Sequence, residues 1–493
     1  MSSDIAQITL DTREPERAGA GTLSPAATGP LSPLGLATVL IGVLLPMVDF
    51  FIVNVALPTI AADLRASQPL LELVVSGYAT AYALLLVLGG RLGDAAGRRR
   101  LFFAGMAAFT VTSLACGLAP DAWALVVGRA AQGASAAMMV PQVLSTIQAT
   151  TTGERRARAL GRYGATGGLA AVIGQLLGGL MVSANIAGLG WRPIFLVNVP
   201  IGVAGLILAG RHVPETRAPA AARIDGPGTV LLGAVVLAVL IPLTEGRSLG
   251  WPAWTWVLLG LAPLLLAAFW VAERRAERAG RHPLVPPSLL RHASMRRGLT
   301  LAIPFFAGFG GFMFCYALLA QQVLGDSALA AGTALVPMAA AFLAASLSTS
   351  RLLSRYGARV LTAGGILQGI GLVTIAATAY LGWPHLAQSP PALAWLAPGM
   401  AVAGFGQGLL MSPLFGVVLS EVPPHAAGAG SGVLATTQQT ALALGVATLG
   451  SLFLALAGDG VGARTGVVVV LAIQTAVAAG VAAGARGLPG WRR

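Results

Sequence analysis

Long apolar stretches alternate along the chain with short polar turns rich in Gly, Pro and Arg. A bilayer core of ~30 Å needs roughly 20 apolar residues in a helix, and a backbone in hydrocarbon must satisfy its hydrogen bonds within the segment. Fourteen stretches meet that length, at about 36–60, 70–90, 101–118, 122–145, 160–183, 194–210, 228–245, 254–272, 298–323, 329–350, 358–381, 391–418, 428–455 and 465–485. The pattern predicts an all-α polytopic membrane protein embedded in a lipid bilayer. Residues 1–34 are rich in Ala, Gly, Pro and Ser without an apolar run, which predicts a disordered cytoplasmic tail and no cleaved signal peptide.

Composition supports the pattern: 56% of the 493 residues are hydrophobic and 10% are charged, outside the range of a soluble domain. The net charge of +13 comes from 31 basic residues that are all Arg. With the N-terminus in the cytoplasm, 26 of them fall in cytoplasmic segments, while Arg65, Arg192, Arg247 and Arg464 lie outside and Arg129 lies within a span. This is the positive-inside asymmetry, and it places both termini inside. No soluble basic domain is present to bind nucleic acid.

The chain holds no Lys, so no P-loop lysine exists and its Gly clusters are not nucleotide loops. Cys116 and Cys315 read as small packing residues, and the five His never pair at ligand spacing, so no metal site, cofactor or catalytic cluster is expected.

Three features depart from the apolar pattern. Asp49 lies inside the first span, ~16 Å from its outer end at 1.5 Å per residue, where a charge costs ~2.5–3.5 kcal/mol on insertion scales. Arg129 lies ~10 Å deep in the fourth span with Gln132 one turn on, so the two charges can share a layer. The other reading leaves Arg129 on backbone carbonyls. The third feature is the turn Gly89–Arg100, where Gly90, Gly93 and Gly97 permit a tight reversal and Asp94 can face a helix N-terminus or the guanidinium groups of Arg98 and Arg99.

That turn resembles the loop between the second and third spans of the major facilitator superfamily, Gly-x-Leu-x-Asp-x-x-Gly-Arg-Arg, through Gly90, Leu92, Asp94, Gly97, Arg98 and Arg99. In the family the loop is a latch between two halves, which the resemblance implies for these residues. Arg129, Gln132 and Gly133 resemble the family's fourth-span Arg-x-x-Gln-Gly, associated with proton coupling. Gly161, Ala170, Gly174, Gln175, Gly178 and Gly179 resemble its antiporter helix, with Ala170 for a Gly and Gln175 for the kinking Pro, a departure that weakens the implied export direction.

The fourteen-span drug:proton antiporter branch is resembled at Asp49 with Val53–Pro58, although Phe51 stands where Thr is frequent, and at Trp191, Arg192, Phe195, Asn198, Pro200 and Gly202. The resemblance implies two six-helix bundles, 35–212 and 298–493, separated by two inserted helices in 213–297. An internal repeat agrees with it: Arg351, Leu352, Gly357, Arg359 and Leu361 repeat Arg91, Leu92, Gly97, Arg99 and Leu101 at an offset of 260, with Ser354 for Asp94.

A substrate cavity is expected from Asn54 and Gln132 in the first half and from Phe309, Phe312, Met313, Gln438 and Gln439 in the second, because aromatic and Met side chains adapt to apolar molecules and neutral amides can hydrogen-bond them. Lipid contact or helix packing is the alternative for these residues. The sequence therefore reads as an antiporter exporting a small lipophilic drug or antibiotic against protons, with Asp49 and Arg129 coupling the two. A proton-coupled carrier of an amino acid or organic acid remains open, as does a non-transporting scaffold or receptor.

Overall fold

A helix inserted in hydrocarbon keeps its backbone bonded to itself, and every regular element among the described residues is a helix. The computed structural model describes residues 31–216, 225–246, 249–281, 283–357, 359–383, 392–423, 426–458 and 462–487. The tail expected at 1–34 lies outside the described residues up to 30. The first helix begins at Pro33, where the Ser32 hydroxyl accepts from Gly35 N at 3.0 Å.

The helices are α1 (Pro33–Leu64), α2 (Gln68–Ala96), α3 (Arg98–Gly117), α4 (Ala122–Thr150), α5 (Gly153–Ala184), the short α6 (Pro193–Leu196), α7 (Asn198–His212), α8 (Gly226–Glu245), α9 (Ala253–Arg278) and α10 (Ala293–Leu318). They continue with α11 (Ala328–Ala334), α12 (Val336–Tyr356), α13 (Arg359–Leu381), α14 (Ala397–Leu419), α15 (Ala427–Gly445), α16 (Ser451–Gly458) and α17 (Ala463–Ala485). Wide π turns at Leu319–Val323 and Val446–Gly450 prolong α10 and carry α15 into α16.

Thirteen helical segments are long and apolar enough to cross a membrane. The fourth predicted span, α4, is 29 residues long but is not among them. It carries Arg129, Gln132, Gln142 and Gln148, and all four are buried among its neighbours.

In one group of helices α4 packs on α2 and α3, and α1 packs on α5; in the other α14 packs on α12 and α13, and α13 on α17. The groups meet where α2 lies on α15 and α5 on α12. Helices α8 and α9 pair with each other, and α8 rests on α2 and α15. On its outer surface α9 presents Trp256, Val257 and Leu264, apolar side chains suited to lipid.

Close backbone approach fixes α4 against α2. A Cβ on Gly133 would strike the carbonyl of Tyr78, and one on Gly89 the carbonyl of Ala137. Neither neighbour is a side chain that can swing away. Gly133→Ala therefore costs ~1–3 kcal/mol of stability, read as a lower melting temperature of the detergent-purified protein. Gly260→Ala, at a position with open space around it, leaves the melt unchanged in the same assay.

Candidate functional site

Asp49 and Arg129 meet in the interior of the first group of helices. Both are fully buried, and Arg129 Nη1 donates to Asp49 Oδ2. Asp49 Oδ1 accepts two further bonds, from Gln132 Nε2 and from Asn198 Nδ2, each at 2.8 Å. Gln132 uses its whole amide: Nε2 also donates to Ser113 Oγ at 2.7 Å, and Oε1 accepts from Arg129 Nη1 at 2.7 Å. Arg129 Nε donates to the Val74 carbonyl at 3.1 Å, and the guanidinium carbon lies 4.1 Å from the centre of the Tyr78 ring. Arg129 thus meets Asp49, against the reading that left it on backbone carbonyls alone, and bonds one backbone carbonyl as well.

Five helices build this centre. Asp49 comes from α1, Tyr78 from α2, Ser113 from α3, Arg129 and Gln132 from α4, and Asn198 from the start of α7. The Tyr78 hydroxyl donates to the Pro46 carbonyl at 3.0 Å, which ties α2 to α1 beside the ion pair. In this low-dielectric setting each donor strengthens its neighbour, and an unpaired member costs several kcal/mol. Nη2 of Arg129 has no hydrogen-bond acceptor, so its charge rests on Asp49 and on the ring face of Tyr78.

The glycines of α5 position α1 around Asp49. A Cβ on Gly174 would meet the Val48 carbonyl at 2.7 Å and Phe51 Cβ at 3.0 Å, and one on Gly178 the Ile52 carbonyl at 2.9 Å. Gly179 instead faces Leu329 of α11, and the side chain of Gln175 sits near Gly332 of the same helix. Without the expected proline, α5 runs as one helix from Gly153 to Ala184.

A second polar centre lies at the far end of α2. Asp94 and Arg98 are buried and joined at 2.8 Å, and Gly428 N, at the start of α15, donates to Asp94 Oδ1 at 3.2 Å. The carboxylate faces a guanidinium and a helix N-terminus together. Gly97 turns the chain with φ of 107°, Gly90 lies backbone to backbone against Gly428, and Arg99 N donates to Glu215 at 3.2 Å. On the same side Ser145 Oγ lies 2.8 Å from Ser431 Oγ, and Gln148 Nε2 donates to the Leu419 carbonyl at 2.9 Å. The repeat position Ser354 is exposed and bonds only to Arg351 of its own helix.

The expected cavity residues are dispersed. Gln132 belongs to the Asp49 centre, and Asn54 is exposed, donating at 3.4 Å to the Phe50 carbonyl. Phe309 and Phe312 line a small cavity among α10, α12, α13, α14 and α17, beside Gln368, Gln407 and Gln474. Met313 packs against the apolar core of that group, Gln438 is buried on α15, and Gln439 reaches the hydroxyl of Tyr82.

Sequence reasoning did not assign Ser113 or Asn198 to the Asp49 centre. Asn198 carried a signal, a polar residue beside Pro200 in a motif, whereas Ser113 carried none. Among the described residues no three metal-ligating side chains cluster.

Such a fold, two groups of packed spans with one buried ion pair inside the first group and another at the junction between the groups, is that of a multi-pass membrane transporter. The family model described as Major Facilitator Superfamily matches residues 39–446, and the chain belongs to that family. It is similar to the probable actinorhodin transporter of Streptomyces coelicolor, 36% identical over 86% of this chain and 73% of that protein. The puromycin resistance protein pur8 of Streptomyces alboniger is 36% identical over 84% and 80% of the two chains, and the cephamycin export protein CmcT of Amycolatopsis lactamdurans 37% over 81% of each. Among solved structures, the human organic anion transporter MFSD10 has the same fold with a TM-score of 0.66 at 16% identity, covering 92% of this chain and 100% of that one.

The geometry predicts strong coupling within the ion pair. Asp49→Leu strands a buried guanidinium and destabilises the purified protein by ~3–5 kcal/mol, while adding Arg129→Met to it restores much of the loss. A thermal double-mutant cycle measures this.

Proposed function

We propose that the chain is a proton-coupled antiporter that exports lipophilic antibiotics or drugs across the cytoplasmic membrane by alternating access. The observation that carries the reading is the buried Asp49, which holds Arg129, Gln132 and Asn198 in one network. Relatives named as transporters, exporters or resistance proteins for antibiotics support the substrate class.

In this reading the thirteen apolar segments and α4 make fourteen spans, with 35–212 and 298–493 as six-helix bundles and 213–297 as two inserted helices. The Arg distribution puts both termini in the cytoplasm. The Asp94 end then faces the cytoplasm. There Gly90, Asp94, Gly97, Arg98 and Arg99 latch the halves, while Gly174, Gln175, Gly178 and Gly179 seat α1 and α11 against α5.

Protonation supplies the coupling. A proton on Asp49 removes the charge that answers Arg129 and turns one acceptor into a donor, so α1, α4 and α7 must find new partners. One proton entering down ~100 mV and ~1 pH unit releases ~3.7 kcal/mol, enough for roughly a 500-fold gradient of a neutral substrate. Asn54, Phe309, Phe312, Met313, Gln438 and Gln439 are the proposed substrate contacts, with Gln132 linking them to the proton site.

Efflux of a lipophilic dye and an antibiotic panel from expressing cells tests the reading. Both a protonophore and Asp49→Asn are expected to abolish it. Efflux that survives Asp49→Asn would remove Asp49 from coupling, and a wild type that exports none of the compounds would move the reading to a metabolite carrier.

A further inference from the structure

A third buried carboxylate lies outside the Asp49 centre and the Asp94 junction. Glu273, near the end of α9, is fully buried; its Oε2 accepts from Val285 N at 2.7 Å, closing the turn that follows the helix. Its Oε1 is buried with no donor. That orphan oxygen faces Asp225, the N-cap of α8, whose Oδ1 accepts from Gly228 N at 3.0 Å. A Cβ on Gly228 would meet both Glu273 Oε1 and Asp225 Oδ2, so the two carboxyl groups crowd one small space.

The charges around this space are few. Arg91 of α2 is buried and donates to the Pro283 carbonyl at 2.6 Å, within the same turn. Asp94, one turn further along α2, is occupied by Arg98. On α9 itself Arg274, Arg275 and Arg278 are exposed, and Glu277 accepts from Ser288 N at 3.1 Å. Among the described residues Arg91 is therefore the cation whose charge acts on both carboxyl groups, at a distance and without a direct ion pair to either.

Two carboxylates in contact cannot both ionise without strong repulsion, and Arg91 balances one negative charge. A metal ion would need a third ligand, which the described residues do not supply, and would sit against a guanidinium. A single proton meets every requirement. It converts the oxygen–oxygen contact into an O–H···O bond, satisfies the orphan Oε1 and leaves one carboxylate for Arg91.

We propose that Asp225 and Glu273 share one proton and form a proton-dependent clasp, which fastens the paired ends of α8 and α9 to the Arg91 end of α2. Loss of the proton places a second negative charge in the space and parts α8 from α9. The turn bearing Pro283 and Val285 then loosens from Arg91, three residues from Asp94. The clasp is separate from Asp49 and stands independently of the export reading.

The folded protein holds a proton here that the unfolded chain releases, so this stability is present at low pH and lost as pH rises. The test is the melting temperature of the detergent-purified full chain between about pH 6 and about pH 8.5. Wild type and Asp49→Asn are both expected to lose a few degrees across that range. Glu273→Gln and Asp225→Asn, whose amides donate where the proton sat, are expected to lose that dependence. Equal pH slopes in wild type and both amide variants would overturn the clasp. A second readout does not depend on both variants folding: the infrared carbonyl band of a protonated carboxyl group must weaken between wild type and either purified variant, and an unchanged band also overturns the proposal.

Discussion

A guanidinium group taken out of water must be answered by charge and by hydrogen bonds, and in this protein the answer to Arg129 draws four helices together. Its carboxylate comes from α1, its carbonyl and ring face from α2, and the amides that hold the carboxylate from α4 and α7. No apolar packing could fix these helices so specifically, because lipid tails compete for apolar surface as well as leucine does. The small residues serve the same end. Gly133 lets α2 come close enough for Tyr78 to cover Arg129, and Gly174 and Gly178 press α1 into place around Asp49.

Two of the helices around the ion pair, α2 and α4, also carry the polar junction at their far ends. On α2, Tyr78 touches Arg129, and four turns later Asp94 caps α15; on α4, Arg129 is followed by Ser145 and Gln148, which reach Ser431 and Leu419. These two helices pack closely on each other along that length. Tyr82 and Gln439 add a contact between the groups midway.

Much of this was legible in the chain because membrane insertion makes polar residues conspicuous. Asp49, Arg129 and Asp94 break long apolar runs, and each has the partner that simple charge arithmetic assigns it. The neutral partners were harder to find. A serine such as Ser113 can bond its own helix or a neighbour, and nothing local distinguishes the two. Gln132 shows the converse: its place beside Arg129 suggested a cavity edge, but its amide is wholly used by Asp49, Ser113 and Arg129. The Glu273–Asp225 contact was illegible for another reason, since 48 residues and two helices separate its members.

The contact between Gly90 and Gly428 has a kinetic side. Where two glycines meet, the touching atoms are main chain on both sides, and no side chain has to change rotamer for the surfaces to part or return. A junction of interlocked leucines would have to disentangle atom by atom. Here the glycine surfaces are flat, and the directional bonds beside them are those from Gly428 to Asp94, between Ser145 and Ser431, and from Gln148 to the Leu419 carbonyl. At this contact the seam is tight, yet it holds no interlocked side chains that parting it would have to rearrange.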